Sequence, residues 1–207
     1  MPAAAGSDAA GASPVPARIG VLAVQGGFAA HTERLASVGA TGVEVRDADD
    51  LENLDGLILP GGESTTISKG IESGDLTEGI RRHHAGGRPV LGTCAGMIVA
   101  DRDHLDLIDI TTRRNAFGRQ LASFEDTIDL PGITDSPIRA VFIRAPWVER
   151  LGESVEVLAE VEGHPVAVRQ ETVTALSFHP ELVDDDRIHA WFAGQCARRP
   201  AESRRGS

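Results

Sequence analysis

The stretch that decides the fold is Pro89–Ile98, PVLGTCAGMI. Its first residues form a short apolar run like a buried strand, and CAGMIVA opens the next helix. Between them stands Cys94, with Gly92 two positions before it and Gly96 two positions after. A chain that turns sharply from strand to helix strains the turn residue, and the neighbours two positions away must be small. That is the logic of a nucleophile elbow. It puts the sulfur at a helix N-terminus, where peptide dipoles favour thiolate over thiol. It also leaves the Ala95 N–H free to donate to a developing oxyanion. The competing reading is a buried structural cysteine, a common core residue.

Working outward, strand and helix alternate. RIGVLAV from Arg18 is a continuous apolar run, as in a strand buried on both faces. QGGF breaks it, and AAHTERLASVG reads as an amphipathic helix stopped by Gly39. GVEVRD and DGLILP are further strands, and GGESTT follows the second. SGDLTEGIRRHHAGG reads as a helix capped by Ser73 or Asp75 and ended by glycines. RPVLGT is the next strand. This alternation with short connections predicts an α/β fold of three layers, a mostly parallel central sheet flanked by helices.

The second half changes character. LDLIDITT, GRQLASFEDTIDL, IRAVFIRAP, VEVLAEVEG, PVAVRQ and TVTALSF are strand-like and punctuated by turn residues. They predict antiparallel hairpins added to the sheet. DDDRIHAWFAGQCARR closes as a helix, acidic at its start and basic at its end. Residues 1–17, rich in Ala, Gly, Ser and Pro, read as a disordered leader, 18–196 as one domain and 197–207 as a frayed tail.

Composition narrows the function class. The chain has 207 residues, 41% hydrophobic and 25% charged, enough for one domain with a real core. Twenty basic against 31 acidic residues give a formal charge of −11, which argues against nucleic-acid or anionic-membrane binding. Lys69 is the only lysine. An acidic, arginine-rich, lysine-poor chain suits a high-salt cytoplasm. Two cysteines, Cys94 and Cys196, make neither a disulfide framework nor a zinc site, so no metal is expected. No run approaches a membrane span of roughly 20 apolar residues, and no signal peptide opens the chain, so a cytoplasmic location is expected.

A thiolate nucleophile needs a base, and seven histidines are available. His83 and His84 sit late in a polar helix and read as solvated. His31, His104, His164 and His189 have no obvious partner in sequence. His179 ends an apolar strand in ALSFHPEL. On an extended segment residues i and i+2 point to the same side, so Glu181 can orient the His179 ring. The trio Cys94, His179 and Glu181 then makes a nucleophile, a base and an orienter. A surface His-Pro-Glu turn is the alternative. In LPGGESTT, Gly61 and Gly62 allow close backbone approach and a second oxyanion donor. A phosphate cradle is the rival, but the Walker lysine is absent.

LPGGEST, GTCAGM and FHPEL, in this order, resemble the class I glutamine amidotransferases. IGVLAVQGGFAAH (Ile19–His31), RRNAFGRQ (Arg113–Gln120) and FIRAP (Phe142–Pro146) are similar to the glutaminase subunit of pyridoxal 5′-phosphate synthase. The resemblance runs from about Arg18 to Phe192. It implies a flavodoxin-like fold and hydrolysis of L-glutamine to glutamate and ammonia, with Cys94 attacking the side-chain amide, His179 moving the protons and Glu181 orienting it. Gly62, Glu63, Ser64, Arg114, Ile143 and Arg144 would hold the glutamine, and the amides of Gly62 and Ala95 the oxyanion. It implies no cofactor. The ammonia would pass to a barrel-shaped synthase subunit in a large hetero-oligomeric complex, docked near AVQGG, and docking would help form the oxyanion hole. One departure is IVADRDHLDLIDITTR (Ile98–Arg113), several residues shorter than the family pattern. Three rivals remain: an amidotransferase serving another synthase, a hydrolase or redox sensor of the related cysteine-elbow superfamily, and a non-catalytic subunit.

Overall fold

The computed structural model describes residues 15–72, 75–117 and 123–198. In chain order the elements are β1 (Arg18–Leu22), α1 (Phe28–Ser37), β2 (Thr41–Val45), β3 (Gly56–Leu59), α2 (Ser64–Glu72), α3 (Leu76–Ala85), β4 (Val90–Thr93), α4 (Ala95–Ala100), β5 (Ile110–Arg113), β6 (Ser123–Ile128), β7 (Ile138–Ile143), β8 (Trp147–Leu151), β9 (Glu156–Val161), β10 (His164–Gln170), β11 (Val173–Leu176) and α5 (Arg187–Ala197). Seven strands form one sheet in the order β2-β1-β3-β4-β11-β10-β9. Strands β2, β1, β3, β4 and β11 run parallel, and β10 and β9 close that edge antiparallel.

Continuous apolar strands are what a sheet covered on both faces requires. In β3 the side chains alternate between two cores: Ile58 belongs to one, Leu57 and Leu59 to the other. The first core receives Leu35 of α1 and Ile188, Phe192 and Cys196 of α5. The second receives Ile67 and Ile71 of α2, Leu76 and Ile80 of α3, and Met97 and Val99 of α4. The three-layer expectation therefore holds, helices lying on both faces. Gly39, at φ +76°, ends the α1 turn in a left-handed conformation that favours glycine.

Several details differ from the sequence reading. TVTALSF forms an antiparallel hairpin with β10, as expected, but its other edge pairs parallel with β4 inside the sheet, Leu176 opposite Thr93. LDLIDITT is strand only from Ile110, because Leu105, Leu107 and Ile108 are buried in the loop before it. That loop folds around Asp101, itself 1% exposed. Its Oδ1 accepts from Asp103 N–H at 3.0 Å and pairs with His104 Nδ1 at 2.6 Å. Its Oδ2 accepts from the Thr112 hydroxyl at 2.6 Å and, at 3.3 Å, from the Thr112 N–H. Strand β8 was not read from sequence; it pairs antiparallel with β5, while β6 and β7 form a hairpin. The closing helix α5 has no side-chain cap bond from Asp186. Asp186 instead accepts from Arg34 and Ser37 of α1. Ser73, residues 118–122 of GRQLASFEDTIDL, most of the leader (1–14) and most of the tail (199–207) lie outside the described residues.

Candidate active site

Cys94 sits between β4 and α4 with φ +48° and ψ −108°, a strained conformation for a side chain with a Cβ. The two glycines explain how the elbow closes. A Cβ on Gly96 would run into the Leu59 carbonyl of β3, and one on Gly92 would meet the Gly96 carbonyl at 2.7 Å. Only glycine at both positions lets α4 pack this tightly on the sheet.

The parallel pairing of β4 with β11 then brings the base to the nucleophile. Cys94 N–H donates to the Leu176 carbonyl at 2.8 Å, and the chain runs on from Leu176 to His179. Strand β7 ties both ends down: His179 N–H donates to the Val141 carbonyl at 2.9 Å, and the Cys94 Sγ lies 3.8 Å from the Ile143 carbonyl. His179 Nδ1 is 2.7 Å from Glu181 Oε1. That leaves Nε2 on the side of the Cys94 sulfur, which acts on the ring. Expected nucleophile, base and orienter are therefore together at the carboxyl ends of parallel strands, where open α/β sheets hold ligands.

Burial by itself would lower the His179 pKa, but the Cys94 sulfur and the Glu181 carboxylate outweigh it and push it up to about 10. The His179 imidazole therefore holds its proton at neutral pH. Burial would raise Glu181, yet His179 and His31 hold its carboxyl below the usual range.

All six residues expected to hold substrate line one cavity of about 400 Å³ with Cys94, Ala95 and His179: Gly62, Glu63, Ser64, Arg114, Ile143 and Arg144. Gln25, Ile98 and Asn115, which sequence reasoning did not place there, line it too. The Glu63 carboxylate is turned back onto the start of α2. It accepts from the N–H groups of Thr65 and Thr66, at 3.1 Å each, and from the Thr66 hydroxyl. Those bonds, the Thr66 hydroxyl first, hold the Glu63 carboxyl below its usual range. Gln25 Oε1 accepts from the Glu63 N–H at 2.9 Å, and Gly27 N–H donates to the Gly61 carbonyl at 3.1 Å. The QGG segment after β1 thus clasps the loop after β3. A trans planar peptide sends the Gly62 N–H opposite to the Gly61 carbonyl, so Gly27 sets the direction of that donor.

A second layer was missed. His31 and His189, read as having no obvious partner, are both 0% exposed behind Glu181. His31 Nε2 lies 3.3 Å from Glu181 Oε2 and 3.2 Å from Thr93 Oγ1, and His31 Nδ1 lies 2.9 Å from His189 Nε2. His83, read as solvated, is 3% exposed. The sequence signal was weak: His31 falls on the inward face of α1 with Leu35, four residues on, but nothing in the sequence ties α1 to Glu181.

The model of the SNO glutamine amidotransferase family matches residues 21–198. The chain belongs to that family. Pyridoxal 5′-phosphate synthase subunit PdxT of Salinispora tropica is 51% identical over 189 residues, 84% of this chain and 94% of that one. The protein of the same name from Frankia alni is 50% identical over 184 residues, 84% and 92%. A crystal structure titled glutamine amidotransferase aligns with TM-score 0.81 at 43% identity, covering 86% of this chain and 98% of its own. This SNO-family chain is thus an enzyme, a class I glutaminase subunit of the pyridoxal 5′-phosphate synthase type. Among its described residues no helix is long and apolar enough to cross a membrane.

Proposed function

We propose that Cys94, His179 and Glu181 are the nucleophile, the proton carrier and the orienter with which this glutaminase subunit hydrolyses L-glutamine for vitamin B6 synthesis. The observation that carries the reading is the His179 ring, which lines one cavity with Cys94 at the elbow and lies 2.7 Å from Glu181 on its other side. The thiolate attacks the side-chain amide carbon, and its electron pair moves onto the carbonyl oxygen. The amides of Ala95 and Gly62 receive that oxyanion. The oxyanion collapses, the C–N bond breaks, and His179 gives its proton to the leaving nitrogen, releasing ammonia. Neutral His179 then takes a proton from water, whose oxygen attacks the thioester. Glutamate leaves, and the thiolate and imidazolium are restored.

Arg114 and Arg144 at the cavity suit the substrate α-carboxylate by charge and fork geometry. Ile143 packs on the methylenes, and Gly62, Glu63 and Ser64 lie along the chain. Gly27 and Gln25 connect the QGG segment, the expected docking region, to the Gly62 donor. Docking of a barrel-shaped synthase subunit, in a large hetero-oligomer, would act through that clasp and receive the ammonia. The unit that does this is 18–196, and it works in the cytoplasm. A formal charge of −11 with one lysine suits high salt, and a melting temperature that rises with KCl would bear that out.

The test is glutamate release from L-glutamine with and without the synthase subunit of the same organism. Activity that rises on mixing and vanishes in Cys94→Ala, with synthase binding retained, is expected. Glutamate release that survives Cys94→Ala would mean another nucleophile.

A further inference from the structure

We propose that His31 is a positioning residue of the glutaminase, holding Glu181 through its Nε2–H, and that His189 fixes the tautomer of His31 from behind. The inference rests on the triad reading above and extends it inward. Glu181 is 4% exposed, and only its Oε1 faces His179. Its Oε2 is buried and has no in-line hydrogen-bond partner. Its polar neighbour is His31 Nε2 at 3.3 Å, whose ring plane aims at Thr93 Oγ1, 3.2 Å away.

The protons can be placed by elimination. An ionised carboxylate has no hydrogen to give. A bare Nε2 lone pair 3.3 Å from Oε2 would be repelled, so Nε2 carries the hydrogen, aimed at Thr93 Oγ1 with its positive end beside Oε2. His31 Nδ1 is then a bare acceptor, and it must receive the hydrogen of His189 Nε2 at 2.9 Å. His189 Nδ1 is left bare, which agrees with that atom having no partner in its buried site. Both rings are thus neutral, with the hydrogen on Nε2. Burial favours the neutral form of each, and the charged groups acting on them are Glu181 and His179 on the triad segment, with Asp186 and Arg34 farther out.

The consequence is that α1 and α5, which carry no group at the cavity, set the angle of the carboxylate that sets the angle of the base. Without the His31 hydrogen, Glu181 would turn and His179 would lose its aim at Cys94. Substrate binding, which involves none of these atoms, would be spared.

Two variants of one shape separate donor from filler. His31→Gln places an amide N–H near the Nε2 position, and His31→Met fills the same space without a donor. Each is assayed for glutamate release with the synthase subunit. His31→Met should lower kcat at least tenfold with KM within about twofold, and His31→Gln should stay within about threefold of wild type. Equal losses would reduce His31 to packing, and two unaffected variants would remove it from the site; either result overturns the inference. Nitrogen-15 NMR of the wild-type histidine rings needs no variant and no activity. It should find His31 and His189 neutral and hydrogen-bearing at Nε2 from pH 6 to 8. A hydrogen on Nδ1 of His31 overturns the inference, even if a wild type silent toward glutamine had already sunk the functional reading.

Discussion

Gly61 faces the imidazole of His179 so closely that a Cβ there would collide with ring atom Cε1 and lie 2.9 Å from Nδ1 and 3.2 Å from the Cys94 Cβ. The loop after β3 therefore forms a wall behind the Cys94–His179 pair, and the absence of a side chain at position 61 gives the ring its place. The ring, being a side chain on a strand end, is what would move. Gly61→Ala should lower kcat/KM on the order of 10²-fold by displacing the base about an ångström. The melting temperature should fall by only a few degrees. Glutamate release with the synthase subunit, set beside a thermal melt, checks this; full activity would show that the ring does not need that wall.

The 2.7 Å contact between Glu181 and His179 predicts more than a loss of charge. Glu181→Gln keeps the shape but can present an amide N–H to Nδ1, which forces the ring hydrogen onto Nε2, so that Nε2 can no longer take a proton and the imidazolium loses its partner. In a serine-protease triad the corresponding change lowers kcat by about 10⁴. A loss of at least 10³-fold in glutamate release is expected here, with the fold intact by circular dichroism. An unchanged rate would make Glu181 a bystander and His179 self-sufficient.

At the elbow the constraint is backbone against backbone. The Gly96 Cα lies against the Leu59 carbonyl, and the strand cannot give as a flexible side chain could. Gly96→Ala should destabilise the protein by about 3 kcal/mol, the upper range for overpacking a tight core, although alanine favours helices over glycine. Urea unfolding measures it. A neutral or stabilising result would mean that α4 slides freely on β3 and that the glycine is not what closes the elbow.

Much of this was legible, and for identifiable reasons. Gly92, Cys94 and Gly96 announce a sharp turn because backbone crowding is local, and His179 and Glu181 pair because they stand two apart on an extended segment. The parallel strands show as unbroken apolar runs. What the sequence hides is whatever depends on packing between distant elements. His31 reaches Glu181 only because α1 packs on the first core beside α5. TVTALSF reads as a hairpin strand, which it is beside β10, but its apolar run does not reveal that β4 is its other neighbour. Trp147–Leu151 ends in exposed charged residues, so its pairing with β5 left no pattern to read.

The buried histidines also shape stability against pH. His189 is pushed down to about 3, by burial first and then by His31, and burial lowers His31 as well. Unfolded, each ring titrates near 6.5. Below that pH the unfolded chain holds protons that the native chain refuses, so stability from both rings is present above about 6.5 and is lost as pH falls. With its folded value near 3, His189 contributes a slope approaching roughly 1.4 kcal/mol per pH unit near pH 5, and His31 adds in the same direction. Glu181, held low against burial by His179 and His31, adds to the loss below its unfolded value of 4.5. His179 works the other way: raised to about 10, its contribution is complete below 6.5 and fades as pH rises through 10. Stability should therefore peak near pH 6.5 to 7 and fall steeply on the acid side. Urea unfolding at half-unit steps from pH 5 to 7 reads the slope directly, and His189→Leu should lower it by roughly 1.4 kcal/mol per pH unit near pH 5. A slope the same in that variant would mean that His189 accepts a proton in the native state, and that the pair behind Glu181 carries a charge.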